Sequence, residues 1–193
     1  MADTRKQLEE ALKQQRPRSL ESALFNMAHA YARSADSAWK QLASTSDADF
    51  AGPAIMCQSF AIELLLKFFL ASDHPTAKTS DDLVAAGIKL RRHKYSELFD
   101  QLADSTKQAI ADSYSAMAGS KVVVDDFRLM LVEQGDEPFV YWRYVYEKGG
   151  VSRFDLRAFK LLTDSLGKAA EVKRRAAAAG QQAAISKPPS NDR

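Results

Sequence analysis

The fold is decided by residues 54–70, which read Ala54-Ile-Met-Cys-Gln-Ser-Phe-Ala-Ile-Glu-Leu-Leu-Leu-Lys-Phe-Phe-Leu70. This stretch is apolar on nearly every side of a helical wheel, which is typical of a helix packed on all faces at the centre of a domain. Two charged residues interrupt it, Glu63 and Lys67, and their spacing places them one turn apart on the same face. Because a lone buried charge is costly, the two either satisfy each other or face a polar cleft.

Composition predicts a single helical domain around this stretch. The chain has 193 residues, of which 46% are hydrophobic and 27% charged, and these values are ordinary for a globular protein with a real core. Only 8 Gly and 6 Pro are present, which favours helix. The formal charge of +2 is too small to indicate nucleic-acid binding by itself, so any basic site has to be a local arrangement.

The cysteine content and the first residues predict a cytoplasmic location. Cys57 is the only cysteine and cannot form an internal disulfide, which fits a reducing compartment. The first eight residues contain no apolar signal region. The apolar run is shorter than the ~20 residues that cross a bilayer, and it contains two charges. We therefore expect no membrane partner.

The rest of the chain is predicted to be all-α. The expected organisation is a short charged helix in residues 1–17, a helical bundle in 18–175 and a flexible tail in 176–193. Within the bundle, Ser19 is predicted to cap a helix that runs to about Leu42, and residues 44–53 form a loop. Further helices are expected at 80–87, at 95–102, from a cap at Ser105 onward, at 125–134 and at 155–175, with a short extended segment at 139–147.

Three stretches combine polar or aromatic side chains in ways that suggest binding. The first is Glu63 with Lys67. The second is the basic cluster at residues 91–94, which contains His93 and precedes a helix, where free backbone N–H groups would favour an anion. The third is the segment 142–147, in which an arginine lies between aromatic residues and could pair with phosphate while a base stacks. Structural salt bridges and aromatic packing are the alternative explanation for each.

Metal, cofactor and nucleophile chemistry find little support in the sequence. The histidines His29, His74 and His93 show no ligand spacing to one another or to Cys57, so no metal site is predicted. The chain contains neither a phosphate-binding glycine loop nor a nucleophile elbow, and no cofactor is expected.

In combination, three motifs resemble those of the HEPN superfamily. They are Ala61-Ile-Glu-Leu-Leu-Leu-Lys67, His93-Lys-Tyr-Ser-Glu-Leu-Phe99 and Phe139-Val-Tyr-Trp-Arg-Tyr-Val-Tyr-Glu147, followed by a final helix. The family has a Glu-Leu-x-Leu-Lys pattern in its central helix and a histidine at the start of a later helix. Some uncharacterised bacterial branches have a Trp-Arg-Tyr-x-Tyr-Glu segment. The resemblance covers about residues 19–175.

The resemblance implies an up-and-down helical bundle, commonly a homodimer with a shared cleft, and a bacterial stress, toxin–antitoxin or defence role. The leading hypothesis is a non-catalytic protein that binds a nucleotide or RNA, and a partner such as a nucleotidyltransferase or an antitoxin is implied. Arg143 and Lys67 would hold phosphate, and Trp142 or Tyr144 would stack a base. The expected lining comprises Glu63, Lys67, Arg92, His93, Trp142, Arg143, Tyr144 and Glu147.

Two alternatives remain open. The first is a structural protein–protein interaction module whose polar cluster only locks the bundle. The second is a metal-independent endoribonuclease that uses His93 and Arg143. Catalytic members of the family have an arginine followed by a histidine after four to six residues, and none of the three histidines here follows an arginine at that spacing. Lys67 stands at the right distance before His74, but lysine lacks the bidentate fork of arginine.

Overall fold

The computed structural model describes residues 19–138 and 155–185. All the regular elements in these ranges are helices, so the all-α prediction is confirmed. In chain order they are α1 (Leu20–Thr45), a 3-10 turn (Ala48–Phe50), α2 (Ala51–Asp73), α3 (Ser80–Ala85), α4 (Tyr95–Asp100), α5 (Asp104–Ala118), α6 (Val124–Glu133) and α7 (Leu156–Ile185). The expected extended segment at 139–147 lies outside the described residues.

The four long helices alternate in direction. Trp39 Nε1 donates to Gln58 Oε1 at 2.8 Å, and Ser72 Oγ donates to Glu21 Oε1 at 2.8 Å, so α1 and α2 are antiparallel. Helix α5 is antiparallel to α7, because Ser113 Oγ bonds the Ser165 carbonyl near one end of the contact while Thr106 meets Lys173 near the other. The arrangement is an up-and-down bundle, as the resemblance implies.

Helix α2 is the central element, as its apolar surface predicts. Residues that are fully or almost fully buried occur all round it, among them Ile62, Leu66, Phe68 and Leu70. They pack against α1, α4 and α7 in one continuous core. At about 25 cal/mol per Å² of apolar surface, each such side chain contributes roughly 2 kcal/mol on burial.

Helix α2 is longer than the sequence suggested. It begins at Ala51, so Pro53 lies within its first turn, where the missing N–H costs nothing. The helix has 23 residues, and by length and composition alone it is long and apolar enough to cross a bilayer. The expectation that this apolar stretch is too short to do so was therefore wrong. The same composition occurs in the core helix of a bundle, and 78% of its most apolar window is buried here.

Several predicted helix ends are confirmed, and others differ for physical reasons. Ser19 Oγ accepts from the N–H of Ser22 and caps α1. The predicted cap at Ser105 is wrong: α5 begins at Asp104, and the preceding Ala103 N–H donates to Asp73 Oδ2 at 2.9 Å. Helix α7 continues to Ile185, so residues 176–185, expected in the tail, are helical; the alanines there have the highest helix propensity.

Candidate functional site

The candidate site is centred on the carboxylate of Glu63 in the middle of α2. The Glu63 side chain is only 1% exposed. Lys67, one turn further along α2, donates from Nζ to Glu63 Oε1 at 2.7 Å. His93, in the loop before α4, has its Nδ1 3.1 Å from the same oxygen. Two of the three stretches that the sequence singled out therefore meet at one atom.

The carboxylate of Glu63 determines which nitrogen of the His93 ring carries the hydrogen. An ionised carboxylate oxygen only accepts hydrogen bonds, so Nδ1 of His93 donates and carries the ring hydrogen. Nε2 of His93 is then the nitrogen that remains for another group. The His93 side chain is 50% exposed and that of Lys67 is 13% exposed, so the site reaches solvent mainly through the histidine.

The second carboxylate oxygen is less well satisfied. Glu63 Oε2 is buried and has no hydrogen-bond partner among the described residues. A buried polar atom that lacks a partner costs free energy, and such atoms in native proteins call for an explanation. Tyr95, which is fully buried nearby, does not serve this oxygen, because its hydroxyl donates to the Ser59 carbonyl at 2.6 Å. Burial, with a smaller contribution from the charge of Glu63, raises the pKa of Tyr95 well above its usual value.

Arg92, which was expected to line the site, pairs with α4 instead of with Glu63. Its Nε lies 3.3 Å from Glu97 Oε2 in α4, and its side chain is about half exposed. Arg91 and Lys94 on either side are also exposed. The loop that contains His93 is therefore basic and exposed.

Two of the backbone N–H groups at the start of α4, where an anion was expected, already have partners. The backbone N–H of Ser96 donates to Asp136 Oδ1 at 2.8 Å, and its hydroxyl donates to Asp136 Oδ2 at 2.9 Å. The N–H of Tyr95 bonds the Asp136 carbonyl. Asp136, in a left-handed turn with φ of 53°, therefore already caps this helix from 40 positions away in the chain. The N–H groups of Tyr95 and Ser96 therefore have no role in holding an anion.

The third stretch that the sequence singled out lies outside the described residues. It contains Trp142, Arg143, Tyr144 and Glu147, and the position of these residues relative to Glu63 stays a prediction. Within the ranges that are described, no group of three or more histidine, cysteine, aspartate or glutamate side chains could hold a metal ion.

A groove that the sequence analysis missed lies between α1 and α7. It has a volume of about 550 Å³ and is lined by Ala28, His29, Ala32, Arg33, Asp36, Leu65, Met117, Thr163, Asp164, Gly167, Lys168 and Glu171. The available signal is the polar stripe of α1, which is typical of a solvated face and comprises His29, Arg33, Asp36 and Lys40. The stripe on α7 that faces it becomes visible only when the two helices are placed side by side.

Comparison with known proteins does not extend these observations, because no protein-family model, no curated protein and no solved structure matches this chain.

Proposed function

We propose that this protein is a HEPN-like, non-catalytic binding protein that takes the phosphate of a nucleotide or of RNA at the exposed edge of the Glu63–Lys67–His93 cluster. The observation that carries the proposal is the single buried oxygen, Glu63 Oε1, that holds Lys67 and His93 in fixed positions. Nitrogen donors that are held in place before the ligand arrives bind it at a lower entropic cost.

The surroundings of the cluster favour a negatively charged ligand. Glu63 neutralises one positive charge, whereas the adjoining loop adds Arg91, Arg92 and Lys94, all exposed. Arg92 is the only one of these three with an ion pair among the described residues. Cations beside an oriented imidazole suit phosphate, which accepts several charge-assisted hydrogen bonds.

Fluorescence anisotropy with a labelled single-stranded RNA, at low salt, tests the proposal, and a thermal-shift series with nucleotides covers the smaller ligand. We expect His93→Ala to weaken binding at least tenfold. Lys121→Gln is the matched control for general charge effects, because Lys121 is an exposed cation on another part of the bundle. RNA and nucleotides that bind the His93→Ala protein as well as the unchanged protein would refute the proposal.

A second candidate, a metal-independent endoribonuclease, is favoured by one specific observation. A carboxylate that bonds one nitrogen of an imidazole leaves the other nitrogen directed and available as a general base or acid. His93 stands in that relation to Glu63. Incubation of labelled RNA with the protein in the presence of EDTA separates the two proposals: cleavage that His93→Ala abolishes would establish the enzyme and reject the non-catalytic one.

The interaction-module alternative gives a third pattern. If the cluster only locks the bundle, substitutions at Lys67 lower stability while neither RNA nor any nucleotide binds the unchanged protein. The homodimer and a nucleotidyltransferase or antitoxin partner remain part of the proposal. Light scattering on the purified chain tests the dimer directly.

A further inference from the structure

The groove between α1 and α7 lies on the far side of the central helix from the proposed phosphate site. Its floor includes Leu65, and residues two positions apart in a helix, such as Glu63 and Leu65, point in roughly opposite directions. The groove is therefore a separate feature. Its volume of about 550 Å³ falls within the range of roughly 300–1,000 Å³ that is typical of small-molecule sites.

Small residues keep the groove open. Ala28 and Ala32 form part of the α1 wall, and Gly167 lies opposite them in α7. A methyl group added to Gly167 would meet no atom within 4 Å, so close packing does not require glycine there. Glycine inside a helix is less stable than alanine. Gly167 therefore leaves space in the groove unfilled, at a position where alanine would make α7 more stable.

Along the groove, two cations have no salt-bridge partner among the residues that the structure describes. Asp36 and Asp164 are both held by Lys160, at 3.5 and 3.1 Å. Glu171 pairs with Arg175 at 3.5 Å. Arg33 on α1 and Lys168 on α7, by contrast, form no salt bridge with any described residue.

The remaining wall is apolar or neutral. Leu65 and Met117 form the floor, and the His29 ring packs against Phe25 with the ring centroids 4.2 Å apart. Burial lowers the pKa of His29, which favours the neutral ring. Its Nε2 is buried and has no hydrogen-bond partner among the described residues. An apolar floor with a few convergent polar groups is the usual construction of a ligand site.

We propose that the groove between α1 and α7 binds a small amphiphilic organic anion, whose carboxylate or phosphate lies between Arg33 and Lys168 and whose apolar body rests on Leu65 and Met117. Arg33 supplies a planar fork that pairs with either anionic group through two hydrogen bonds. The already paired acids of the groove do not cancel this attraction, because their cationic partners lie alongside them.

Isothermal titration calorimetry of the full chain with octanoate and, separately, with phenyl phosphate tests the proposal. The two ligands distinguish a carboxylate from a phosphate. We expect saturable binding of at least one of them, and at least tenfold weaker binding of octanol, which keeps the apolar body and lacks the charge. No saturable binding of either anion, or equal binding of octanoate and octanol, would overturn the proposal.

Two sets of variants locate the site. Arg33→Gln combined with Lys168→Gln removes both charges, which lie at exposed positions, and should weaken binding of the anion at least tenfold. Gly167→Leu should fill the groove and abolish binding. Lys40→Gln, an exposed cation of α1 that does not line the groove, is the matched control. Unchanged affinity in the Arg33→Gln and Lys168→Gln double variant would overturn the assignment even if Gly167→Leu failed to fold.

His93→Ala separates this proposal from the one at Glu63. Because the two sites lie on opposite sides of α2, we expect this variant to bind octanoate or phenyl phosphate as the unchanged protein does. A loss of anion binding in His93→Ala, with Arg33→Gln and Lys168→Gln having no effect, would place the anion at the Glu63 site and overturn the groove proposal.

Discussion

Helix α2 has two acidic side chains that are almost completely buried, Glu63 in its middle and Asp73 at its end, and the two are satisfied very differently. Asp73 is 6% exposed, and its Oδ1 accepts from Thr106 Oγ1 and from Lys173 Nζ, both at 2.7 Å. Its Oδ2 accepts from the Ala103 N–H. Glu63, by contrast, concentrates both of its bonds on Oε1 and leaves Oε2 without a described partner.

The difference indicates different roles. Asp73 ties together the end of α2, the start of α5 and the side of α7, and both of its oxygens are used in doing so. Both oxygens of such a group are already engaged in contacts that hold the helices together. Glu63 holds a half-exposed histidine in one orientation, and its second oxygen has no hydrogen-bond partner in the part of the chain that the structure describes. Complete pairing is typical of a structural contact, whereas an incomplete set beside an accessible side chain favours a functional site.

The largest effect on stability is expected from Asp73→Ala. The change leaves a partly buried ammonium, a hydroxyl and the N–H of Ala103 without their common acceptor. We expect a loss of about 3–5 kcal/mol in the free energy of unfolding, measured by urea denaturation, because a broken buried pair leaves its partner charge unpaired. RNA binding should be retained under native conditions. The exposed Asp81→Ala is the control, and comparable destabilisation there would contradict the structural role of Asp73.

A smaller loss of stability is expected from Lys67→Met. The methionine keeps much of the side-chain volume but removes the cation from Glu63, and His93 remains as a partner. We expect about 2–3 kcal/mol of destabilisation, less than for Asp73→Ala. A double-mutant cycle with Glu63→Gln measures the coupling of the pair. If the two substitutions add without coupling, the contact between them is unimportant and the contrast with Asp73 fails.

Thr106→Val tests how far the Asp73 contacts depend on a single donor. The substitution preserves the shape of the side chain but removes the hydroxyl that donates to Asp73 Oδ1 and accepts from Lys173. We expect about 1 kcal/mol of destabilisation, the usual value for one hydrogen bond, since the two other donors of Asp73 remain. Urea denaturation measures it, and an effect as large as that of Asp73→Ala would show that the three bonds do not act separately.

The smallest stability effect is expected from His93→Ala, although it should have the largest effect on ligand binding. A half-exposed hydrogen bond contributes on the order of 1 kcal/mol or less to folding. His74→Ala is the matched control, because His74 is a partly buried histidine whose Nδ1 lies 2.9 Å from the Leu70 carbonyl. Destabilisation of several kcal/mol in His93→Ala, with no change in RNA affinity, would make Glu63 a second structural contact of the Asp73 kind.

The sequence by itself determined the helices and one part of the site. The helices α1, α2 and α7 and the cap at Ser19 depend on residues that are close together in the chain, and each was predicted. The contact between Glu63 and Lys67 follows in the same way, because four residues along a helix always bring two side chains together.

Only the tertiary structure decided which distant groups meet. Asp73 contacts the start of α5, Asp136 occupies the start of α4, and His93 reaches Glu63 from 30 positions away. The facing stripes of α1 and α7 are likewise distant in sequence. The physical reason is that a helix period fixes the direction of each side chain relative to its own axis, whereas the packing of helices fixes which directions face each other.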